Sequence, residues 1–283
     1  MKITVLGSAG QIGAYLTEYL KKKGHTVHEM DITIDPWWHD LTRHNNSHLM
    51  ERLLDSDFCF FLAFDVGGSR YLKKYQHTYE FLDNNAKMMV EVFNQLKLCD
   101  VPFVFASSQM SNMSHSPYGL AKAMGELYTK ALGGLIVKFW NVYGIEKDMD
   151  KAHVITDFIR KGFEEGDFTM LTDGTEERQF LYAEDCCEAL ETIMENYKDF
   201  TSDDDLHITS FNDTTIKDVA NIIQGQFNLL GKFIRITPGE EKDSVQLDKR
   251  NRPSTFIHKW WLPKTGIDAG IAKVFNEMKN DWV

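Results

Sequence analysis

The chain is poor in cysteine: four residues in 283, at positions 59, 99, 186 and 187. None forms a Cys-x-x-Cys pair, and no Cys/His group has zinc spacing, which argues against a disulfide scaffold and a structural zinc site. The adjacent Cys186 and Cys187 read as helix residues, not a redox pair. The ten histidines are scattered. His44 and His48 share an i,i+4 spacing without a third ligand, the pattern of a solvated helix face, so no metal is expected.

Long apolar runs are missing too. The longest dense run, 58–64, is seven residues, which suits a strand buried on both faces and not a membrane span. The apolar run after Lys2 stops at Leu6 against a glycine-rich turn, unlike a signal peptide. No membrane partner and a cytoplasmic location are the expectations. Positive charge is also short: the net charge is −11. That argues against a nucleic-acid partner, which needs a basic surface. It leaves room for an anionic small substrate held by backbone amides and one or two arginines.

What remains is an ordinary core-forming composition, 43% hydrophobic and 26% charged. Apolar strands are predicted at 2–6, 26–31, 57–63, 102–106 and 135–139, and amphipathic helices at 11–23, 45–54, 79–98 and 118–132. This alternation predicts an α/β fold with a doubly wound parallel sheet of Rossmann type. Beyond about residue 145 the rhythm loosens. Helices are predicted at 152–165, 184–197, 216–228 and 267–279, with short strands near 168–171, 206–209 and 233–237. The expected organisation is a dinucleotide-binding domain over 1–165, with 174–200 packing back on it, and a smaller α+β substrate-binding lobe over 166–283.

The turn after the first strand reads Gly7-Ser8-Ala9-Gly10-Gln11-Ile12-Gly13. Glycine at 7 permits the sharp turn, glycine at 10 lets a pyrophosphate approach, and glycine at 13 lets the helix pack on the sheet. Gln11 and Ile12 open the helix whose free N–H groups face the phosphates. Asp31 ends the next strand, where a carboxylate accepts from the adenosine ribose hydroxyls and repels a 2′-phosphate, favouring NAD over NADP. Asp40 and Leu41 are candidate adenine contacts, Asp40 being equally readable as a polar loop residue. Leu62 and Ala63 end the central strand beside the switch point.

A second constellation is Tyr118-Gly119-Leu120-Ala121-Lys122, with Ser108 upstream. Tyr118 and Lys122 share one helical face. A tyrosine hydroxyl ionises near ~10 when unperturbed, and an adjacent ammonium would lower that value and make it a usable base. Ser108 would hydrogen-bond a developing oxyanion. Tyr118 and Lys122 also belong with the cofactor contacts.

These residues together resemble the extended short-chain dehydrogenase/reductases, the sugar-nucleotide epimerase/dehydratase family. Asp83-Asn84-Asn85, Asn141-Val142-Tyr143-Gly144, the stretch from Gly174 to Asp185 with Arg178-Gln179-Phe180, and Trp261-Leu262-Pro263-Lys264-Thr265 resemble further family segments. The resemblance implies NAD in the N-terminal lobe, a nucleoside-diphosphate sugar in the C-terminal lobe, Asn141 and Arg178 as diphosphate contacts, and a homodimer through the helices at 79–98 and 118–132.

The chain departs from the family in several places. Only nine residues separate Ser108 from Tyr118, where family members carry a longer segment lining the sugar pocket. Gln109 and Met110 follow Ser108, so the Thr-Asp-Glu pattern of the 4,6-dehydratases is absent. Met110 also stands where the 3,5-epimerising relatives place a cysteine, although Gly67-Gly68 resembles the glycine pair of that branch. Lys138 replaces a frequent arginine, and Gln179 the aspartate of the family's Arg-Asp-Phe. The paired tryptophans Trp37-Trp38 and Trp260-Trp261 read as packing or interface residues. The leading expectation is redox chemistry at C4 of a nucleotide-linked hexose, as a 4-epimerase. The alternatives are a C4 dehydrogenase or reductase, a 3,5-epimerase-like enzyme, or a non-catalytic NAD sensor or scaffold.

Overall fold

The computed structural model describes residues 1–243 and 251–282. The first half runs β1 (Lys2–Leu6), α1 (Gln11–Lys22), β2 (Thr26–Met30), α2 (Ser47–Leu54), β3 (Phe58–Phe61), α3 (Ser69–Tyr75), α4 (Tyr79–Cys99), β4 (Phe103–Ser108), α5 (Pro117–Leu132) and β5 (Leu135–Phe139). The second half runs β6 (Asn141–Tyr143), α6 (Val154–Glu164), β7 (Phe168–Thr169), β8 (Glu177–Tyr182), α7 (Ala183–Glu195), β9 (Leu206–Ile208), β10 (Asp213–Thr215), α8 (Ile216–Leu229), β11 (Ile236–Thr237) and α9 (Ile267–Met278).

The main sheet is parallel, in the order β2-β1-β3-β4-β5-β9. Every residue of β3 and β4 is buried, because helices cover both faces. On one face, Leu16 and Leu20 of α1 and Leu190 and Ile193 of α7 share a core with Ile3, Phe60 and Val104. On the other, Leu53 of α2 and Val92 and Phe93 of α4 pack on Phe61 and Phe105. Strand order reverses between β1 and β3, which makes a crevice at their carboxyl ends. The 3-2-1-4-5-6 arrangement of dinucleotide folds carries one more strand outside the second. Here residues 31–46 form turns, so β2 is the sheet edge.

The strand predicted at 206–209 forms as β9, but in this first sheet and not in the smaller lobe, paired with β5 through Val137↔Leu206. Helix α7 likewise lies against α1, with Cys186 and Cys187 fully buried in it. A second sheet, β10-β8-β6, and the pair β11-β7 are flanked by α6, α8 and α9 around a separate core that includes Tyr143, Phe158, Phe180, Val219, Phe227 and Phe275. Helix α2 begins at Ser47, capped by the Asn46 side chain accepting from Leu49 N–H at 3.0 Å. His44 therefore precedes the helix and faces Glu91 at 3.3 Å, while His48 stacks on His39, so the two do not share a helix face. Among the described residues no helix is long and apolar enough to cross a membrane.

Candidate active site

The glycine turn joins β1 to α1 at the crevice. Gly7 has φ +84°, and a Cβ there would lie 2.7 Å from Ala63 N. A Cβ on Gly13 would stand 1.9 Å from Gly7 O, so only glycine lets α1 approach the turn. Gly10 is different: the nearest atom to a Cβ there is 3.3 Å away, so its lack of a side chain serves the open side of the turn. No side chain caps α1. The buried Ser8 hydroxyl has no hydrogen-bond partner among the described residues. An uncapped helix start beside an unpaired hydroxyl fits an anionic group, here the pyrophosphate of a dinucleotide. The first two helical residues face the protein: Gln11 Nε2 donates to Val142 O at 3.1 Å, and Ile12 packs on the core.

Asp31 stands at the end of β2 and turns back on the glycine turn. Its carboxylate accepts from Ala9 N–H at 3.1 Å and from the N–H and hydroxyl of Thr33 at 3.0 and 2.8 Å. A carboxylate offers about four acceptor positions, so one is left for a ribose hydroxyl. Asp40 accepts from the N–H and hydroxyl of Thr42 at 2.9 and 2.6 Å, a side-chain turn, and Leu41 is buried with Leu6, Met30 and Leu49. The Leu41 side chain thus belongs to the core. Leu62 N–H donates to Leu6 O at 3.0 Å, which lays Ala63 against Gly7.

Ser108 closes β4, and Tyr118 and Lys122 stand one turn apart on α5. The helix starts there because Ser116 accepts from Gly119 N–H at 3.1 Å and Pro117 occupies the first turn. The nine-residue link is compact: Gln109–Asn112 is a single 3-10 turn, and Met110 and Met113 pack under Tyr118. A Cβ on Gly119 would lie 2.2 Å from Met110 O, so α5 rests directly on the link. Ser107 points the other way, donating to Glu126 Oε1 at 2.5 Å, which leaves Ser108 as the candidate serine at this strand end. The position of the expected cysteine acid holds the buried thioether of Met110.

The electrostatics differ from the sequence argument. Burial pushes the Tyr118 hydroxyl up to about 12, and the neighbouring Ser108 hydroxyl opposes the rise. Burial pulls the Lys122 ammonium down to about 7, against the attraction of Glu126. Lys122 was expected to lower Tyr118. Instead its ammonium donates to Ala106 O at 2.7 Å and lies 3.7 Å from the centre of the Phe64 ring. Desolvation therefore outweighs the ammonium.

Asn141 and Arg178 come together across the paired strands β6 and β8, on the wall of a cavity of about 140 Å³. Ser108, Tyr118 and Lys122 do not line it. Arg178 is mostly buried and pairs with Asp243, and its Nη1 donates to Glu177 O at 2.7 Å. The Asn141 amide stands 3.5 Å from Gln179 O. Gln179 is structural, donating to Asp213 at 3.0 Å and accepting from Thr209 at 3.2 Å. Sequence reasoning missed Arg70 and Lys73, which α3 sends to the same cavity, paired with Asp157 and Glu241. Their signal was a basic i,i+3 pair following Gly67-Gly68. That glycine pair packs on the segment 151–153: Gly68 N–H donates to Lys151 O at 2.9 Å, and a Cβ on Gly68 would lie 2.6 Å from Ala152 O. Trp261 is buried and Trp260 packs on Phe200 and Phe256, whereas Trp37 and Trp38 are exposed.

The model of the NAD dependent epimerase/dehydratase family matches residues 3–209, and the chain belongs to that family of enzymes. It is 30% identical over 174 residues to a putative UDP-glucose 4-epimerase of Methanocaldococcus jannaschii, an alignment covering 59% of this chain and 54% of that protein. The chain thus spans about half the length of that relative. An uncharacterized UDP-glucose epimerase of Bacillus subtilis is 27% identical over 231 residues, 69% of this chain and 72% of the relative. In fold the chain is similar to the UDP-glucose 4-epimerase of Thermotoga maritima with UDP-glucose, at TM-score 0.80 and 18% identity over 99% of both chains. An epimerase of Methanothermobacter thermautotrophicus is similar at TM-score 0.81 and 19% identity, over 99% of this chain and 93% of that one.

Proposed function

We propose that this chain is an NAD-dependent enzyme of nucleoside-diphosphate sugars that oxidises and re-reduces C4 of the hexose, with 4-epimerisation as the outcome. The observation that carries this reading is the placement of Ser108 at the end of β4 with Tyr118 and Lys122 one turn apart on α5, Lys122 donating to Ala106 O of β4 at 2.7 Å, at strand ends beside the glycine turn. NAD supplies the hydride acceptor when bound, held by the glycine turn and Asp31. Tyr118, as phenolate, takes the proton of the 4-hydroxyl and gives it back. Its value of about 12 means that it must gain the help of a cation to act near neutrality. The Lys122 ammonium is the buried cation one turn away. Ser108 donates to the C4 oxygen as it becomes a carbonyl.

Arg178 and Asn141 hold the diphosphate, the guanidinium fork suiting phosphate oxygens once Asp243 yields. Anchoring there, outside the reacting group, leaves the hexose free to present its other face. The sheet β10-β8-β6 and the helices around it form the substrate side. If the hexose does not turn, the same residues make a C4 dehydrogenase or reductase. A panel of UDP-, GDP-, dTDP- and CDP-hexoses, with product stereochemistry read by NMR, separates these outcomes. C4 inversion that disappears in Tyr118→Phe is the expected result. No conversion of any sugar, with Tyr118→Phe indistinguishable from the parent, would leave a non-catalytic NAD binder.

We also infer a homodimer through α4 and α5. Leu82 and Val90 of α4 and Leu120, Met124 and Leu127 of α5 are exposed on the two neighbouring helices, more apolar surface than isolated exposed residues represent.

A further inference from the structure

A row of polar side chains crosses the main sheet on the face away from Ser108. The strand registers place Ser107 of β4 beside Lys138 of β5, and Lys138 beside His207 of β9, so all three leave the same face. Glu126 of α5 and Asp205, just before β9, meet this row. Glu126 Oε1 accepts from the Ser107 hydroxyl at 2.5 Å. Lys138 Nζ lies 3.8 Å from Glu126 Oε2 and 3.7 Å from Asp205 Oδ1, shared between the two carboxylates. Ser107 and His207 are buried. Glu126 and Lys138 are each 16% exposed, so water screens their charges weakly, whereas Asp205 is half exposed.

The charges of the row do not cancel. Trp140 Nε1 can only donate, and it stands 2.9 Å from His207 Nδ1, so Nδ1 accepts and Nε2 carries the proton. His207 Nε2 then donates to Asp205 Oδ1 at 2.9 Å. A neutral ring satisfies both contacts, and burial holds this imidazole below its ordinary value. Two carboxylates therefore share one lysine, with one negative charge left over. Lys130, one turn beyond Glu126, pairs with Asp203 at 2.9 Å instead. The opposite imbalance lies one turn back on the same stripe of α5. Lys122 is buried, donates to Ala106 O at 2.7 Å, and faces the rings of Phe64, Phe105 and Tyr118. Glu126 is the carboxylate whose field reaches it.

We propose that this row is the counter-charge of Lys122: Ser107 and Lys138 fix Glu126 one turn beyond the ammonium, and the unbalanced carboxylate charge keeps Lys122 protonated inside the core. Lys138 suits this task because a cation shared by two carboxylates holds Glu126 while cancelling only one of the two charges. Glu126 is then a positioning residue of the reaction, acting on Tyr118 only through Lys122. That consequence rests on the reading of Tyr118 as the base, and the counter-charge itself does not.

Nuclear magnetic resonance of the full chain with isotope-labelled lysine tests this. The Lys122 signal is the one missing from Lys122→Met, and its titration reads the ammonium population directly. Glu126→Gln keeps the volume and an acceptor for Ser107 but removes the charge. It should lower the ratio of ammonium to amine at a given pH roughly 3- to 30-fold, a downward shift of about 0.5–1.5 pH units. Lys138→Met removes the shared cation and should shift the midpoint upward. Glu126→Asp keeps the charge and should titrate closer to the parent than Glu126→Gln does. A merely structural row would loosen the site in both variants and move both midpoints the same way. That result, or midpoints equal to the parent's, overturns the proposal. A variant that does not fold leaves the other to decide by the sign of its shift. The pH profile of C4 conversion tests the catalytic consequence separately: its alkaline limb should move down in Glu126→Gln by the shift seen in the titration. Titration shifts as expected, with that limb fixed or with no conversion by the parent, overturn the catalytic reading and leave the counter-charge in place.

Discussion

Lys122 donates to the carbonyl oxygen of Ala106, sixteen residues before it, at 2.7 Å, and its ammonium lies 5.8 Å from the centre of the Tyr118 ring. The buried cation is held by the strand below it and by Phe64. Its charge is a cost to the folded chain that the site accepts, and the cost depends on pH.

The folded value of Lys122, about 7, lies below the ordinary 10.5. Between these values the unfolded chain holds a proton that the folded chain has lost, so stability rises with pH across that window. The penalty is complete below about 7 and gone above about 10.5. Lys122→Met should therefore melt above the parent at pH 6.5, with the difference shrinking by up to about 1.4 kcal/mol per pH unit on the way to pH 9.5. Chemical denaturation at several pH values checks this, and a constant difference would refute it.

Two glycines of one turn should respond differently to a single methyl group. Gly13→Ala places Cβ 1.9 Å from Gly7 O and should cost about 1–3 kcal/mol of stability, with loss of NAD binding. Gly10→Ala meets its nearest atom at 3.3 Å and should melt within about 1 kcal/mol of the parent while still losing NAD. Thermal unfolding beside an NADH fluorescence titration distinguishes the two.

Asp31→Asn keeps an acceptor for Ala9 N–H but removes the charge that repels a 2′-phosphate. The ratio of NAD to NADP affinity should fall by about tenfold, the effect of roughly 1.4 kcal/mol. Equal ratios in parent and variant would remove Asp31 from the cofactor site.

Leu127 is 63% exposed on α5. If α4 and α5 pair across a dimer, Leu127→Glu buries two like charges at that interface and should yield monomers with an unchanged melting profile at low concentration. Sedimentation of both proteins checks this. A monomeric parent would end the dimer assignment.

Strands β1, β3, β4 and β5 were legible because they are apolar runs set between helices with a clear amphipathic period, whereas the three-residue β9 was expected in the other lobe. The second sheet was not legible. Strands β6 and β10 have three residues each, too few for a period of two to show, and β8, Glu-Arg-Gln followed by Phe-Leu-Tyr, has four consecutive buried residues and no alternation. Helix α3 escaped because its seven residues include two tyrosines and two lysines and bury only Leu72. The site was read in its two separate halves, Gly7 to Asp31 and Ser108 to Lys122. Their meeting through Phe64, and the partners that Asp243 and Glu241 provide to Arg178 and Lys73, depend on side-chain direction across long stretches of chain. Asp40 and Leu41 show the converse limit, since a loop position next to a strand said nothing about which side chain faces the core.

Strand β9 has a consequence for synthesis. The parallel sheet begins with residue 2 and gains its last strand only at 206–208, after β6 and β8 of the other lobe have been made. A nascent chain on the ribosome can lay down β1 to β5 in order, but must keep the outer edge of β5 unpaired until the later segment emerges. Until Ala183–Glu195 has been made, α1 also lacks its neighbour α7, and the apolar faces of Leu16 and Leu20 stay partly uncovered. Such an edge and such a face are what holding chaperones recognise. Truncation anywhere between 145 and 205 should therefore produce a chain that aggregates, however complete its glycine turn.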